Sequence, residues 1–171
     1  MNYATIKPWD IANGPGVRVS LFVSGRTHHC KDCFNPEAWD FDYGEPFTEA
    51  VMEHILELLR PDYIRGITYL GGEPFDPHNQ PGLLALTQKI RAAYPEKSIW
   101  SFTGYVYGQN LPQLPGVTDA LLAGLDVLVD GPFIAARKNL SLRFRGSDNQ
   151  RLIDLPKTLK TGAVVLWDET Q

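Results

Sequence analysis

The sequence has little cysteine, no long apolar run and no excess of basic charge. Two cysteines in 171 residues exclude a fold held together by several disulfides. No stretch of about 18 apolar residues occurs, and the beginning, MNYATIKPWD, lacks the apolar segment of a secretory signal. Sixteen basic against twenty acidic side chains, a net charge of -4, argue against a partner bound through its phosphates. We therefore expect a cytoplasmic protein with no nucleic-acid and no membrane partner.

The composition predicts a single domain over residues 1–171. With 43% hydrophobic residues, a chain of this length buries one substantial core, and it shows no internal repeat. The segment from about residue 132 differs, because it is rich in basic side chains. This segment either docks a partner or forms a solvated surface. Its basic residues are Arg137, Lys138, Arg143, Arg145, Arg151, Lys157 and Lys160.

Strand and helix patterns alternate along the chain. Four apolar runs predict strands, and AVVLW (163–167) is a candidate for a last one. The four runs are VRVSLFVSG (17–25), GITYLGGEPF (66–75), KSIWSFTG (97–104) and DVLVDGPF (126–133). Between them, three amphipathic segments predict helices over 48–61, 81–95 and 118–124.

The predicted helices have clear ends and apolar faces. Thr48 is a candidate N-cap of the first helix, Pro61 stops it, and Gly124 ends the third. The first helix has an apolar face of Val51, Ile55, Leu58 and Leu59, and the second has one of Leu83, Leu86 and Ile90.

This order predicts an α/β fold, with a mostly parallel sheet covered by helices. Ligands bind such sheets at the carboxyl ends of the strands. Those ends carry the cysteine loop, Gly71–Pro74, Thr103–Gly104 and Asp130–Gly131. We expect these four segments to meet at one edge of the sheet.

The cysteine loop, SGRTHHCKDCFNPEAW (24–39), holds both cysteines of the chain. Cys30 and Cys33 are three residues apart and follow His28 and His29. Thiolates at this spacing can bind one soft metal or part of an iron–sulfur cluster. A zinc site formed by these four side chains and a pair of plain reduced thiols are the alternatives.

The order of several motifs is similar to that of a known family. The segments are NGPGVRVSLFVSG, THHCKDCFNPEAWDF, LGGEPF, FTGY, DVLVDGPF and LSLRFRGSDNQR, and they span most of residues 11–151. Together they resemble the activating enzymes of anaerobic (class III) ribonucleotide reductase, which are small radical S-adenosylmethionine (SAM) proteins. The resemblance implies a partial (β/α) barrel that binds a 4Fe-4S cluster and SAM.

The resemblance also implies a reaction and two partners. Reductive cleavage of SAM at the cluster gives a 5′-deoxyadenosyl radical, which takes a hydrogen atom from a glycine of the large reductase subunit. The partners are that subunit and a reduced electron donor such as flavodoxin. The cofactors supply the chemistry, while the protein binds them, orients them and excludes water.

The resemblance assigns site residues in two segments. Cys30 and Cys33 fall on the second and third cluster-ligand positions, and Gly72 is the closest match to a direct contact with the SAM amino group. A glycine suits a backbone that approaches a ligand closely. The residues assigned to cofactor binding are Asp32, Cys33, Phe34, Gly71, Gly72, Glu73 and Pro74.

Three further residues have two interpretations each. Thr103 and Tyr105 either line the SAM pocket or pack in the ordinary way. Asp130 either reaches SAM or the substrate peptide, or it caps a turn.

Arg26 is a departure from the family pattern. It stands four residues before Cys30, where the family has its first cluster cysteine, and a guanidinium has no lone pair to offer iron. His28 or His29 could replace the missing ligand. Three hypotheses follow: an activating enzyme, a binding module of the same fold without a cluster, and a zinc-binding protein.

Overall fold

The structure, a computed structural model, describes residues 1–27 and 39–170. Seven strands form one sheet, and four α-helices accompany it. The strands are β1 (Asn2–Asp10), β2 (Val17–Val23), β3 (Glu45–Pro46), β4 (Ile64–Gly71), β5 (Ser98–Phe102), β6 (Val127–Asp130) and β7 (Arg151–Asp154). The helices are α1 (Glu49–Leu59), α2 (Gln80–Ala93), α3 (Thr118–Ala123) and α4 (Leu155–Thr161).

The middle of the sheet is parallel, as the sequence predicts. The strand order is β3-β1-β2-β4-β5-β6-β7, and β2, β4, β5 and β6 run parallel to one another. Strands β1, β3 and β7 are antiparallel to their neighbours. The chain is therefore a mixed α/β protein, and the carboxyl ends of its four parallel strands lie at one edge.

Helices α1 and α2 cover one face of the sheet with the predicted apolar residues. Leu83, Leu86 and Ile90 of α2 are fully buried, and Thr48 caps α1 by accepting a 3.3 Å hydrogen bond from the backbone nitrogen of Val51. The buried residues of α1 are Met52, Ile55 and Leu59. Val51 and Leu58, predicted to lie on the buried face, are only partly buried at its margin.

The antiparallel strands and the last helix are missing from the sequence-based assignment. Strand β1 contains Pro8 and an exposed Trp9, which are unusual in a strand with neighbours on both sides. Strand β3 has two residues, too few for a recognisable period, and β7 has two apolar residues between two charged ones. The candidate strand over 163–167 is reduced to an isolated antiparallel bridge between Leu166 and Ile153 of β7, with backbone hydrogen bonds from Asp154 N to Val165 O and from Trp167 N to Leu152 O, both at 2.8 Å.

The opposite face of the sheet contains a buried cation that joins three strands. The guanidinium of Arg18 in β2 donates to Thr68 Oγ1 at 3.0 Å and to Ile67 O at 2.8 Å, both in β4. It also donates to Oγ and O of Ser98 in β5, at 2.8 and 3.0 Å, and to Pro15 O at 3.3 Å. Burial lowers the pKa of Arg18 to about 9, so the side chain stays charged at neutral pH.

The carboxyl-terminal part of the chain covers this face next to Arg18. Trp100 of β5 is buried, and its ring meets the rings of Phe144 and Trp167 edge-on, at centroid distances of 5.4 and 4.9 Å. Phe144 has a φ of 59°, a left-handed conformation that is uncommon for an aromatic residue. The segment after residue 132 therefore covers part of this face of the sheet.

No helix among the described residues is long and apolar enough to cross a membrane.

Replacement of Arg18 by methionine is expected to lower the free energy of unfolding by about 3 kcal/mol or more, because buried oxygen acceptors on β4 and β5 lose their donors. Urea denaturation measures this loss. Arg60→Met is the control, because its side chain is 72% exposed. Equal losses in the two variants would contradict the structural role of Arg18.

Candidate functional site

A buried carboxylate joins the loops that follow β4 and β5. Glu73 is fully buried, and its Oε1 accepts a hydrogen bond from the backbone nitrogen of Gly104 at 2.7 Å. Its Oε2 accepts from Thr103 Oγ1 at 2.8 Å and from the backbone nitrogen of Phe75 at 2.9 Å. Two of the four segments expected at this edge are thus in direct contact. The carboxylate of Glu73 is directed into the protein and positions the surrounding loops.

The Gly71–Glu73 turn is fixed against the end of β2. The backbone nitrogen of Gly72 donates to Val23 O at 2.8 Å, and that of Glu73 donates to Gly25 O at 2.9 Å. Gly71 has a φ of +104°, and a Cβ there would lie 2.6 Å from Val23 O. Only glycine therefore fits position 71, and the turn lies directly beside the start of the cysteine loop.

Asn79 strengthens the same junction and is absent from the sequence-based site. It is fully buried immediately before α2, and its side-chain nitrogen donates to Glu73 O at 2.8 Å. The same nitrogen approaches Ser24 O at 3.2 Å and Gly25 O at 3.4 Å. An asparagine just before a helix has an ordinary explanation as a cap, so the sequence carried no signal for this contact.

Arg26 is buried at this edge and contacts Trp39, the last residue of the cysteine loop. The residue is only 9% exposed, and its guanidinium carbon lies 5.2 Å from the centroid of the Trp39 ring. Its backbone nitrogen donates to Trp39 O at 3.3 Å. Through Gly25, Arg26 is also next to the Gly71–Glu73 turn. Arg26 therefore lies beside the turn that the sequence analysis assigns to SAM, and its own assignment to a cluster position stays a prediction.

All of the predicted metal and cofactor residues of the cysteine loop lie outside the described residues. Their roles stay predictions from the sequence. They are His28, His29, Cys30, Asp32, Cys33 and Phe34.

Thr103 and Tyr105 both contribute to the edge through protein contacts. The Thr103 hydroxyl donates to Glu73 and accepts from the backbone nitrogen of Tyr105 at 3.1 Å. The Tyr105 side chain forms a hydrogen bond with Thr27, at the start of the cysteine loop. Burial raises the pKa of Tyr105, so its hydroxyl keeps its proton at neutral pH. A role of either residue in lining a SAM pocket stays a prediction.

Asp130 holds the loop after β5 in place. It is 1% exposed, and it accepts hydrogen bonds from Arg151 Nε at 3.0 Å, Arg151 Nη2 at 2.5 Å and the backbone nitrogen of Tyr107 at 2.9 Å. The hydrogen bond with Asp130 raises the pKa of Arg151. The contacts favour the turn-holding interpretation of Asp130.

Several basic residues of the carboxyl-terminal segment have acidic partners. Arg137 pairs with Asp148, and Arg145 Nη1 lies 3.0 Å from Glu169 Oε1. Arg143 lies over the Phe144 ring, with 4.7 Å between the guanidinium carbon and the centroid. The segment is thus an ordered surface, and its role in docking stays a prediction.

Comparison with known proteins shows the family of this chain. A family model described as "4Fe-4S single cluster domain" matches residues 12–153. The anaerobic ribonucleoside-triphosphate reductase-activating protein of Escherichia coli K12 is 43% identical over 152 residues, which are 88% of this chain and 96% of that protein.

Relatives from other sources have the same name. The protein of Vibrio cholerae is 41% identical over 88% of this chain and 96% of its own length. The protein of phage T4 is 40% identical over 89% of this chain and 93% of its own length. The chain therefore belongs to the family of anaerobic ribonucleoside-triphosphate reductase-activating proteins, which confirms the predicted resemblance.

The donor set of this chain does not match a cubane held by three thiolates. The whole sequence contains two cysteines, and the buried side chain at the first ligand position is a guanidinium, which cannot coordinate iron. Within residues 1–27 and 39–170, no three histidine, cysteine, aspartate or glutamate side chains come together as a metal site. The family's cluster and this chain's residues therefore disagree at one corner.

The stability of the protein is expected to fall as the pH rises from about 5 to 7, because of Glu73. Burial raises the pKa of Glu73 from 4.5 to about 7, against three hydrogen bonds that lower it. Between these values the folded chain holds a proton that the unfolded chain has lost, so a rise in pH favours unfolding.

This pH effect is measured by comparing the native chain with Glu73→Gln. Between pH 5 and 8, the native chain is expected to lose about 2–3 kcal/mol of unfolding free energy relative to the variant. Urea denaturation at four pH values measures the difference. Glu96→Gln, at an exposed position, is the control and should follow the native chain. Parallel curves for native and Glu73→Gln would show that Glu73 does not titrate in this range.

Proposed function

We propose that this chain acts on the large subunit of an anaerobic ribonucleotide reductase and generates a glycyl radical there, as an activating enzyme. The observation that carries the proposal is the Glu73-centred edge, where the carboxyl ends of β2, β4 and β5 meet beside the cysteine loop. The target is inferred from the relatives that match most of this chain, because they are named as activating proteins of that reductase.

SAM is the proposed ligand of this edge, together with a 4Fe-4S cluster in the cysteine loop. Gly72 supports the SAM site, because it has no Cβ and a ligand can approach its backbone closely. Gly71 serves the packing instead, since a Cβ there would meet the backbone of Val23. In the family, the cluster and SAM supply the radical chemistry. The described residues of this chain position the turn and surround it with buried contacts, from Glu73, Asn79 and Arg26.

Further parts of the proposal concern architecture and partners. The sheet and helices form a partial (β/α) barrel of the radical SAM type, within a single domain spanning residues 1–171. A reduced donor such as flavodoxin supplies the electron in the cytoplasm. The basic segment from about residue 132 contributes to docking of the reductase, since it begins at the end of β6, on the edge that holds the site.

Arg26 favours a second candidate, a binding module that keeps the reductase-binding surface without turnover. A buried cation at the first ligand position leaves one corner of a cubane without a thiolate. Zinc binding by His28, His29, Cys30 and Cys33 is a third outcome, which metal analysis would reveal.

Replacement of Arg26 by cysteine is expected to raise both iron content and SAM cleavage, because it supplies the missing thiolate. After anaerobic reconstitution, the variant should hold about four irons per chain, and the native chain clearly fewer. Release of 5′-deoxyadenosine measures cleavage, and the electron paramagnetic resonance signal of the reductase measures its glycyl radical. Arg26→Ser is the matched control, because it removes the guanidinium without adding a thiolate.

The outcomes separate the candidates. Radical formation by the native chain supports the enzyme. Reductase binding without iron or cleavage, restored to activity only by Arg26→Cys, supports the binding module. Zinc in place of iron supports the third candidate. Equal iron content in Arg26→Cys and Arg26→Ser would show that position 26 does not face the cluster.

A further inference from the structure

The base of the cysteine loop is held by contacts between two short segments. Ser24, at the end of β2, donates from its hydroxyl to Tyr43 O at 2.7 Å. Gly25 lies against the ring of Phe41, and a Cβ at Gly25 would lie 2.0 Å from Phe41 Cδ1. The segment 24–26 and the segment 39–43 therefore lie side by side, in opposite directions.

Arg26 and Trp39, near the two ends of the cysteine loop, contact each other through backbone and side chain. The two residues are joined by the 3.3 Å hydrogen bond from Arg26 N to Trp39 O, and the Arg26 guanidinium lies over the Trp39 ring. The contact is protected from solvent, since Arg26 is 9% exposed. Cation–π contacts are stronger when solvent is excluded.

We propose that the Arg26–Trp39 pair holds this edge of the fold together without metal, at the position where the family's pattern has a cluster thiolate. A cysteine there would be fixed by coordination to iron, and only while iron is bound. A guanidinium is always charged, is planar and is weakly hydrated, so it stacks on the indole ring in every metal state. The edge of this chain is therefore preorganised in the iron-free protein.

The pair also fixes the neighbouring turn. Gly25, next to Arg26, accepts the hydrogen bond from the backbone nitrogen of Glu73 at 2.9 Å. Phe41, two residues after Trp39, meets the ring of His78 edge-on at 5.0 Å, in the loop before α2. A change at Arg26 should therefore loosen residues 39–43 before it affects α2.

A double-mutant cycle tests the direct coupling of the two side chains. Arg26→Gln and Trp39→Leu are each expected to lower the melting temperature of the iron-free protein by about 3 °C or more. The double variant should lose about 2 °C less than the sum of the two, because the contact can be lost only once. Arg60→Gln, at an exposed helix end, is the control and should change little. Additive losses, or no loss in Arg26→Gln, would overturn the proposal.

Hydrogen exchange gives a local measurement that overall destabilisation would not reproduce. In Arg26→Gln, the amides of residues 39–43 should exchange about three- to tenfold faster, while those of α2 keep their native rates. Uniformly faster exchange across both segments would overturn the proposal.

Iron dependence is the second arm of the test. The native chain after chelator treatment and after anaerobic reconstitution with iron and sulfide should melt within about 1 °C of each other, because the edge is held by Arg26 in both. A rise of about 4 °C or more on iron loading would show that metal holds the edge and would overturn the proposal. Reductase activation, measured on the same samples, tests the proposed function separately.

Discussion

The carboxylate of Glu73, buried where three parallel strands end, is the interaction on which the rest of the site depends. It accepts hydrogen bonds from one hydroxyl and two backbone N–H groups in the loops after β4 and β5. The backbone nitrogen of Glu73 donates to a carbonyl oxygen in the loop after β2. A buried carboxyl group is costly unless such donors surround it. The edge therefore needs Thr103, Gly104 and Gly25 in these places, and their positions in turn fix the Gly71–Gly72 turn.

Arg26 adds a buried guanidinium to the same edge. Glu73 and Arg26 lie on opposite sides of one backbone junction, joined through Gly25. Glu73 holds the turns after β4 and β5, and Arg26 is joined to Trp39.

The two faces of the sheet are stabilised differently. The helical face is an ordinary apolar core, in which Leu83, Leu86 and Ile90 pack at helical spacing. The other face holds the buried guanidinium of Arg18 and the aromatic group around Trp100, covered from the carboxyl-terminal segment. Polar and aromatic side chains here replace a second helical layer, so this face carries no periodic signal that a sequence pattern could reveal.

The sequence was enough to predict the parallel strands, the helices α1, α2 and α3, the family and the departure at Arg26, because these depend on local periodicity, glycine geometry and motif order. It could not supply β1, β3, β7 or α4, since short or proline-containing strands form only when a neighbour pairs with them. The contacts of Glu73, Asn79 and Asp130, and the position of the Arg26 guanidinium over the Trp39 ring, are visible only in the folded chain. Those contacts join residues that are far apart in the chain. They form only when the whole fold buries these side chains together, so no local sequence pattern predicts them.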